Sequence, residues 1–311
     1  MRILVLGAGG IGGYFGGRLA EAGADVTFLV RPGRAAQLAR DGLVVRSPGG
    51  DISRAVRCIG ADDLAGDGRH DAVLQTCKAY DLEAAIAAIA PAVKNGAKVI
   101  PMLNGMGHLD RLDAAFGSGA VLGGLCQIAA TLTPAGEVRQ LNTLNLMIVG
   151  PRAPGQDGVT AAFAQAAGPA KFDFRASDDI AQDMWEKFVM LATMGGMTCL
   201  MRANVGEIMQ ADEGEALMLE LLAECDGVAG AAGHAARPAF LARARGLLTE
   251  RGSTFAASML RDVEGGGATE AAHIIGDMLA RARESGIPAP TLRVAWCHLQ
   301  AHEARRQAGR A

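Results

Sequence analysis

The sequence of 311 residues is poor in aromatic side chains, in closely spaced cysteines and in long apolar segments. Aromatic residues make up 4% of it, and its six cysteines are widely spaced, with no CxxC pair. That spacing indicates neither a zinc site nor a disulfide framework. The uncharged apolar stretch Phe188–Met201 has 14 residues, whereas a membrane-spanning helix needs about 20. We therefore expect a buried core helix there and no membrane partner.

Charge of either sign is not in large excess. The chain carries 30 Lys and Arg against 33 Asp and Glu, a formal net charge of −3. This near balance gives no reason to expect nucleic acid or an anionic membrane as a partner. Met1 and Arg2 lead directly into an apolar run, without a signal-peptide pattern. We expect a cytoplasmic protein whose cysteines are reduced.

The first half of the sequence alternates short apolar runs with helical patterns, which predicts an α/β fold with a doubly wound parallel sheet of the Rossmann type. The predicted strands are Arg2–Leu6, Asp25–Val30, Ala72–Thr76, Lys98–Leu103, Val121–Ile128 and, with no helix between them, Glu137–Leu141 and Asn145–Val149. The predicted helices between the strands include Ile11–Ala22, Arg34–Arg40 and Leu82–Ala90.

From residue 178 onward only helical patterns are present, so a helical second domain is predicted. Its expected helices are Asp178–Leu200, Val205–Ala231, Ala239–Arg251, Thr254–Val263, Glu270–Ser285 and Thr291–Arg306. We place the boundary near Arg175, which gives domains of residues 1–175 and 176–311. These long helices are compatible with a homodimer surface and equally with burial inside one chain.

A glycine fingerprint follows the first predicted strand. Gly7, Gly9 and Gly12 form GxGxxG at the start of a helix. Gly7 permits a tight turn, Gly9 lets the backbone approach a pyrophosphate, and Gly12 lets helix and strand pack closely. The N–H groups of the first helical turn, with Gly10 and Ile11, favour a diphosphate at the positive end of the helix. The fingerprint therefore predicts dinucleotide binding.

The end of the second predicted strand indicates which dinucleotide. An NAD site usually has an acidic residue there, about 20 residues after the fingerprint, to bind the ribose 2′-hydroxyl. This sequence has Arg31 at that position and Arg34 just after it. Two cations without a carboxylate suit a 2′-phosphate, so NADP(H) is the expected cofactor. The alternative is a solvated basic loop.

Several motifs together resemble the ketopantoate reductase family over nearly the whole chain. After the fingerprint they are, in order, CKAYD around Lys78, LNGMG around Asn104, WEKF around Lys187, SMLRD from Ser258 and TE at Glu270. The resemblance implies an N-terminal Rossmann domain and a helical C-terminal domain like that of 6-phosphogluconate dehydrogenase. It also implies NADPH-dependent reduction of a 2-oxo acid to a 2-hydroxy acid, the 2-dehydropantoate step of pantothenate synthesis.

The resemblance further implies a role for each matching residue. Lys187 matches the family's catalytic lysine, which protonates the developing alkoxide as hydride arrives from the nicotinamide. Asn104 matches an asparagine near the nicotinamide and the substrate, and Ser258 matches a contact of the substrate carboxylate. Lys78 matches a lysine that contacts the cofactor, and Glu270 matches an acid near the catalytic site and the cofactor ribose.

The chemistry of each position is compatible with these roles and also with simpler ones. An ammonium beside the apolar run after Lys187 has a pKa that desolvation can lower, which suits a proton donor. The alternative is a lysine that extends from a helix to water. Lys78 and Asn104 are otherwise loop residues, Ser258 an ordinary helical serine, and Glu270 an acid at a helix start.

The sequence departs from the family pattern four and eight residues after the lysine. The family has substrate-binding asparagines there, whereas this chain has Leu191 and Gly195. Neither side chain forms a hydrogen bond, so we expect a more apolar or bulkier 2-oxo acid than ketopantoate as an alternative substrate. The other possibility is that Thr193 or Thr198 replaces the missing donors, although Thr193, six residues after Lys187, lies on a different face of the helix. Two further readings stay open: a Rossmann dehydrogenase of another hydroxy acid, and a non-catalytic NADPH-binding sensor.

Metal binding is not predicted. His298 and His302 are four residues apart on a predicted helix, the spacing of two metal ligands. No third ligand is evident near them, and the surrounding segment has the composition of a solvated helix.

Overall fold

The computed structural model describes residues 1–309; residues 310 and 311, the end of the predicted second domain, lie outside the described residues. The chain divides into two compact units. The first consists of Met1–Leu103 and His108–Ile180, and the second of Asn104–Gly107 and the chain from Ala181 onward. Within the described residues, no helix combines the length and apolar character needed to cross a membrane.

A parallel sheet forms the centre of the first unit. Its strands are, in spatial order, β5 (Arg57–Ile59), β2 (Asp25–Leu29), β1 (Arg2–Leu6), β6 (Ala72–Gln75) and β7 (Lys98–Pro101). Every neighbouring pair is parallel. This sheet confirms the predicted α/β class. The helices of this half are α1 (Gly10–Glu21), α2 (Pro32–Asp41), α3 (Leu82–Lys94), α4 (Gly107–Phe116) and α5 (Asp157–Ala167).

A second sheet, which the sequence did not predict as separate, completes the first unit. Its strands are β10 (Phe174–Ala176), β9 (Val138–Gly150), β3 (Leu43–Arg46) and β4 (Ile52–Arg54), and β8 (Gly123–Leu132) pairs with β9. The predicted strands Glu137–Leu141 and Asn145–Val149 are one continuous strand, β9. β8 runs antiparallel to it instead of joining the parallel sheet, with a register shift between Ile128 and Ala130.

Glycines on α1 bring this helix against both sheets. A Cβ atom at Gly16 would lie 2.8 Å from the ring of Phe28 on β2. One at Gly17 would lie 2.9 Å from Leu43 on β3, and one at Gly13 would lie 2.6 Å from Val138 on β9. Side chains at these positions would push the helix away from the sheets, so the glycines are required for close packing.

The second unit is helical. Its elements are α6 (Ile180–Met201), α7 (Val205–Ile208), α8 (Gly214–Ala231), α9 (Pro238–Leu248), α10 (Ser258–Glu264), a π-helical segment (Ala272–Gly276), α11 (Asp277–Glu284) and α12 (Pro290–Gln307). The single helix expected over Val205–Ala231 is wrong, because the chain turns between α7 and α8. A Cβ atom at Gly214 would lie 1.9 Å from the carbonyl oxygen of Ile208, so glycine permits that sharp turn.

Candidate active site

The loop after β1 makes a turn that requires glycine. Gly7 has a φ of +92°, in the left-handed region that side chains disfavour. Its N–H donates a hydrogen bond of 2.9 Å to the carbonyl oxygen of Leu29. A Cβ atom at Gly12 would lie 2.2 Å from the carbonyl oxygen of Gly7. The loop therefore touches the first turn of α1 directly.

The first turn of α1 has no side-chain cap, and there is open space beside its N-cap residue, Gly9. No atom lies within 4 Å of a Cβ position at Gly9, the N-cap. The helix has no side-chain cap and no acidic residue in its first turn. The N–H groups of Gly10 and Ile11 have no acceptor within the helix, because a helix leaves its first donors unpaired. This uncapped turn fits the diphosphate of a dinucleotide.

Two neighbours of the glycine loop carried no clear signal in the sequence. The Thr76 hydroxyl, just after β6, donates a hydrogen bond of 2.7 Å to the carbonyl oxygen of Leu6. Its Oγ1 would lie 2.3 Å from a Cβ atom at Gly12, so it closes the base of the loop. On the other side, a Cβ atom at Gly10 would lie 2.7 Å from the carbonyl oxygen of Ala130.

Arg31 is exposed and already has an anionic partner. Its side chain, just before α2, donates a hydrogen bond of 2.7 Å to Oδ1 of Asp81, and the pair forms a salt bridge. The Asp81 carboxylate raises the pKa of Arg31. The cation expected at a 2′-phosphate is therefore partly neutralised by a carboxylate that follows β6.

Arg34 is half-buried against the glycine loop. Its Nε donates to the carbonyl oxygen of Ala8 at 3.1 Å, and its Nη1 donates to the carbonyl oxygen of Gly136 at 2.9 Å. Burial lowers the pKa of this guanidinium. Its Nη2 is buried and has no hydrogen-bond partner within residues 1–309. An unpaired donor beside the loop fits a cofactor phosphate or ribose.

Lys78 lies near the same sheet edge. It is exposed and precedes a single 3₁₀ turn, Ala79–Asp81, that starts shortly after β6. Its neighbour Asp81 carries the ion pair with Arg31. Lys78 and the two arginines thus follow the carboxyl ends of β6 and β2, where open α/β sheets bind ligands.

In the second unit, Lys187 is half-buried on α6, beside an ion-pair network. Arg237 donates to both oxygens of Glu186, from Nε at 2.7 Å and from Nη2 at 2.6 Å, and its Nη2 donates to Asp183 at 2.5 Å. Arg237 holds the pKa of the buried Glu186 carboxyl below its usual range, although burial alone would raise it. The network fixes the turn of α6 that carries Lys187.

Trp185, two residues before Lys187, contacts two side chains through its ring. Its ring stacks on His234 with centroids 5.9 Å apart, and the guanidinium of Arg281 lies 5.5 Å from its centroid. Arg281 in turn donates to Asp277 at 3.1 Å. These contacts connect α6 with α11, and no local sequence pattern predicted them because the partners are far apart in the chain.

Glu270 and Asn104 are brought to the same segment. The buried Glu270 lies two residues before the π-helical segment, and its carbonyl oxygen accepts from the N–H groups of His273 and Ile274 at 3.0 Å each. A Cβ atom at Gly105, whose φ is +80°, would lie 2.6 Å from the carbonyl oxygen of His273. Burial lowers the pKa of His273, while a hydrogen bond with the Asn104 backbone opposes that shift. Single π-helical turns are frequent at functional sites.

Ser258 begins α10 and is exposed. The next residue, Met259, is buried and reaches α6. Its Cε would lie 3.0 Å from a Cβ atom at Gly195, and Ala257 and Ile275 approach the same position at 4.0 Å. This contact was not predicted, because a methionine that fills the space beside a glycine 64 residues away leaves no local pattern in the sequence.

The expectation that Thr193 or Thr198 replaces the missing asparagines is not supported. Both side chains are fully buried. Their hydroxyls donate to the carbonyl oxygens one turn earlier in α6, Thr193 to Val189 at 2.9 Å and Thr198 to Met194 at 2.7 Å. In the described part of the chain, no cluster of three or more His, Cys, Asp or Glu is arranged to hold a metal ion.

Comparison with known proteins identifies the family. The family profile described as "Ketopantoate reductase PanE/ApbA" matches residues 3–154, and "Ketopantoate reductase PanE/ApbA C terminal" matches residues 179–303. The uncharacterized oxidoreductase YkpB of Bacillus subtilis (strain 168) is 35% identical over 306 residues, which cover 98% of this chain and 100% of YkpB.

Two further relatives are named as reductases. The 2-dehydropantoate 2-reductase of Halobacterium salinarum is 28% identical over 294 residues, covering 94% of this chain and 96% of its own. The crystal structure of 2-dehydropantoate 2-reductase from Geobacter metallireducens GS-15 superposes with a TM-score of 0.86 at 28% identity, covering 97% of this chain and 99% of that one. The chain therefore belongs to the ketopantoate reductase family of oxidoreductases.

Proposed function

We propose that this protein reduces a 2-oxo acid to the 2-hydroxy acid with a nicotinamide dinucleotide, NADPH being the preferred donor. The observation that carries this proposal is the start of α1, which has no side-chain cap and has open space at the Cβ position of its N-cap residue, Gly9. Within the family, 2-dehydropantoate is the reference substrate, and this chain acts on it or on a related acid.

The residues present fit the cofactor. Gly7, Gly9 and Gly12, with the N–H groups of Gly10 and Ile11, provide a cradle for the diphosphate. Arg31 and Arg34 supply positive charge for the 2′-phosphate, and Lys78 supplies it near the end of β6. When bound, the reduced nicotinamide supplies a hydride.

Lys187 is the proposed proton donor. Hydride addition to C2 of the 2-oxo acid leaves negative charge on the carbonyl oxygen, and an ammonium proton transferred to that oxygen gives the hydroxyl group. The Arg237–Glu186 pair holds the turn of α6 on which Lys187 lies. The proton donor is therefore already positioned on α6 before the reaction begins.

Three further residues are proposed to orient the substrate and the cofactor. The Ser258 hydroxyl is exposed and donates to the substrate carboxylate. The Asn104 amide, held next to the segment after Glu270, binds near the substrate carbonyl and the nicotinamide. The Glu270 carboxylate is buried and accepts from the ribose of the cofactor.

Product analysis tests this proposal. NADPH carrying deuterium at both C4 positions is incubated with the protein and each member of a panel of 2-oxo and 3-oxo acids, and the hydroxy acid product is examined by mass spectrometry. One deuterium at C2 of a product is expected. A protein that binds NADPH tightly and labels no product from 2-oxo or 3-oxo acids is instead a binding sensor. Label in a 3-hydroxy acid alone indicates a dehydrogenase of another class.

A further inference from the structure

The face of α6 that continues from Lys187 carries no hydrogen-bonding side chain one or two turns further along the helix. Leu191 and Gly195 lie one and two helical turns after Lys187, and residues at this spacing share a face. The nearby hydroxyls of Thr193 and Thr198 donate to backbone carbonyl groups of their own helix. Both hydroxyl groups are buried, and their hydrogen bonds are made within α6.

The space beside Gly195 is filled by hydrocarbon. The Cε methyl of Met259 lies 3.0 Å from the Cβ position of Gly195, and Ala257 and Ile275 complete the surroundings at 4.0 Å. All three side chains are buried. A polar side chain at residue 195 would have to displace the methionine. The surroundings of residue 195 are therefore apolar by packing as well as by composition.

We propose that the substrate of this reductase is a 2-oxo acid whose side chain is purely hydrocarbon, selected by Leu191 and by Met259 packed against Gly195. This inference rests on the proposed function and narrows its substrate. A hydroxyl group on the substrate side chain would lose its water and meet no partner on this face. Apolar pockets discriminate against an added hydroxyl by up to about 100-fold.

A matched pair of substrates tests the inference. Ketopantoate is 4-hydroxy-3,3-dimethyl-2-oxobutanoate, and 3,3-dimethyl-2-oxobutanoate differs from it only in lacking the hydroxyl group. The wild-type kcat/KM is expected to be about 10- to 100-fold higher for the acid without the hydroxyl. Equal values, or a preference for ketopantoate, overturn the inference while leaving the proposed function intact. If neither these acids nor any other 2-oxo acid is reduced, both are wrong.

Substitutions on this face test which residues cause the preference for the acid without the hydroxyl group. Leu191→Asn introduces an amide on the Lys187 face and is expected to move the ratio of the two kcat/KM values toward ketopantoate by about tenfold. Gly195→Asn combined with Met259→Ala replaces the methionine methyl by an amide and is expected to act in the same direction. Leu247→Asn, at an exposed leucine on α9, is the matched control and leaves the ratio unchanged. Thermal melts report whether each variant folds. A ratio that no folded variant on this face moves contradicts the assignment to these residues.

Discussion

The guanidinium of Arg31 donates a hydrogen bond of 2.7 Å to Oδ1 of Asp81. Arg31 precedes α2 and Asp81 ends the 3₁₀ turn after β6. The ion pair therefore joins the segments that follow β2 and β6, the strands on either side of β1. A 2′-phosphate that binds Arg31 must share it with this carboxylate or displace it. Cofactor preference is therefore expected to depend on Asp81 as well as on the arginine.

Replacing Asp81 by Asn is expected to strengthen NADPH binding. The substitution removes a negative charge beside Arg31 and leaves the backbone unchanged. The Kd of the apoprotein for NADPH should fall roughly two- to fivefold, the size of an exposed ion-pair effect, whereas the Kd for NADH should stay the same. Fluorescence titration of both nucleotides at low ionic strength measures the two values.

Asp41→Asn is the matched control for Asp81→Asn. It removes the same charge from an exposed pair with Arg40 at the other end of α2. It should change neither Kd. If Asp41→Asn strengthens NADPH binding as much as Asp81→Asn does, the effect comes from net charge and not from the partner of Arg31.

Alanine at two fingerprint glycines is expected to have opposite effects on folding and on binding. Gly9 has a φ of −81° and open space around its Cβ position, so Gly9→Ala should fold normally and weaken NADPH binding about tenfold or more. Gly12→Ala places a methyl group 2.2 Å from the carbonyl oxygen of Gly7, and should lower the unfolding free energy by about 1–3 kcal/mol or more. Thermal melts and nucleotide titration separate the two effects.

Gly158→Ala, in the first turn of α5, is the control for both glycine variants, because its Cβ position faces open space and it lies outside the residues proposed to bind the cofactor. Normal NADPH affinity in Gly9→Ala would show that no phosphate approaches the start of α1 at this position.

The parts of the structure that depend on local sequence were predictable. The turn at Gly7, the helix that begins after it and the alternation of strands and helices each follow from residues close together in the chain. The course of β9 was not predictable in this way, because the polar residues Asn142 and Thr143 interrupt the apolar pattern between the two predicted strands. Pairing with β8 carries the strand through them, and the Asn142 side chain accepts from the Ala129 N–H at 3.4 Å.

The residues of the candidate site were predictable from the sequence, but the side chains that they contact were not. Arg31 stood at the position expected for a cofactor contact, whereas its ion pair with Asp81 joins residues 50 positions apart. Likewise, the sequence shows directly that Leu191 and Gly195 lack side-chain donors. It does not show that Met259 fills the space beside Gly195. Which side chain enters a gap depends on how α6 and α10 pack, and no short-range pattern records that.

Stability at acidic pH is expected to depend on Glu186. Its pKa in the folded protein lies below its usual range because Arg237 stabilises the charged form. The stabilisation is therefore complete above the unfolded-state pKa of about 4.3 and is lost as the pH falls through the lower folded-state pKa. Glu186→Gln should lower the unfolding free energy at pH 7 by about 1–3 kcal/mol and reduce its loss on acidification. Denaturant unfolding across this pH range measures both.

Glu83→Gln is the control for Glu186→Gln, because Glu83 forms an exposed pair with Arg111. It should leave the pH dependence of stability as in the wild type. An acid-induced loss that is equally steep in wild type and Glu186→Gln would place the responsible carboxylate elsewhere.

The most direct test of the account is turnover of a 2-oxo acid by the Lys187→Met variant. The rate of NADPH oxidation is measured for wild type and variant, together with the Kd for NADPH. We expect kcat to fall by about 10²- to 10⁴-fold, because a positioned proton donor contributes that much, while the Kd changes little. A variant that binds NADPH and keeps the wild-type kcat would show that Lys187 does not supply the proton and contradict the account.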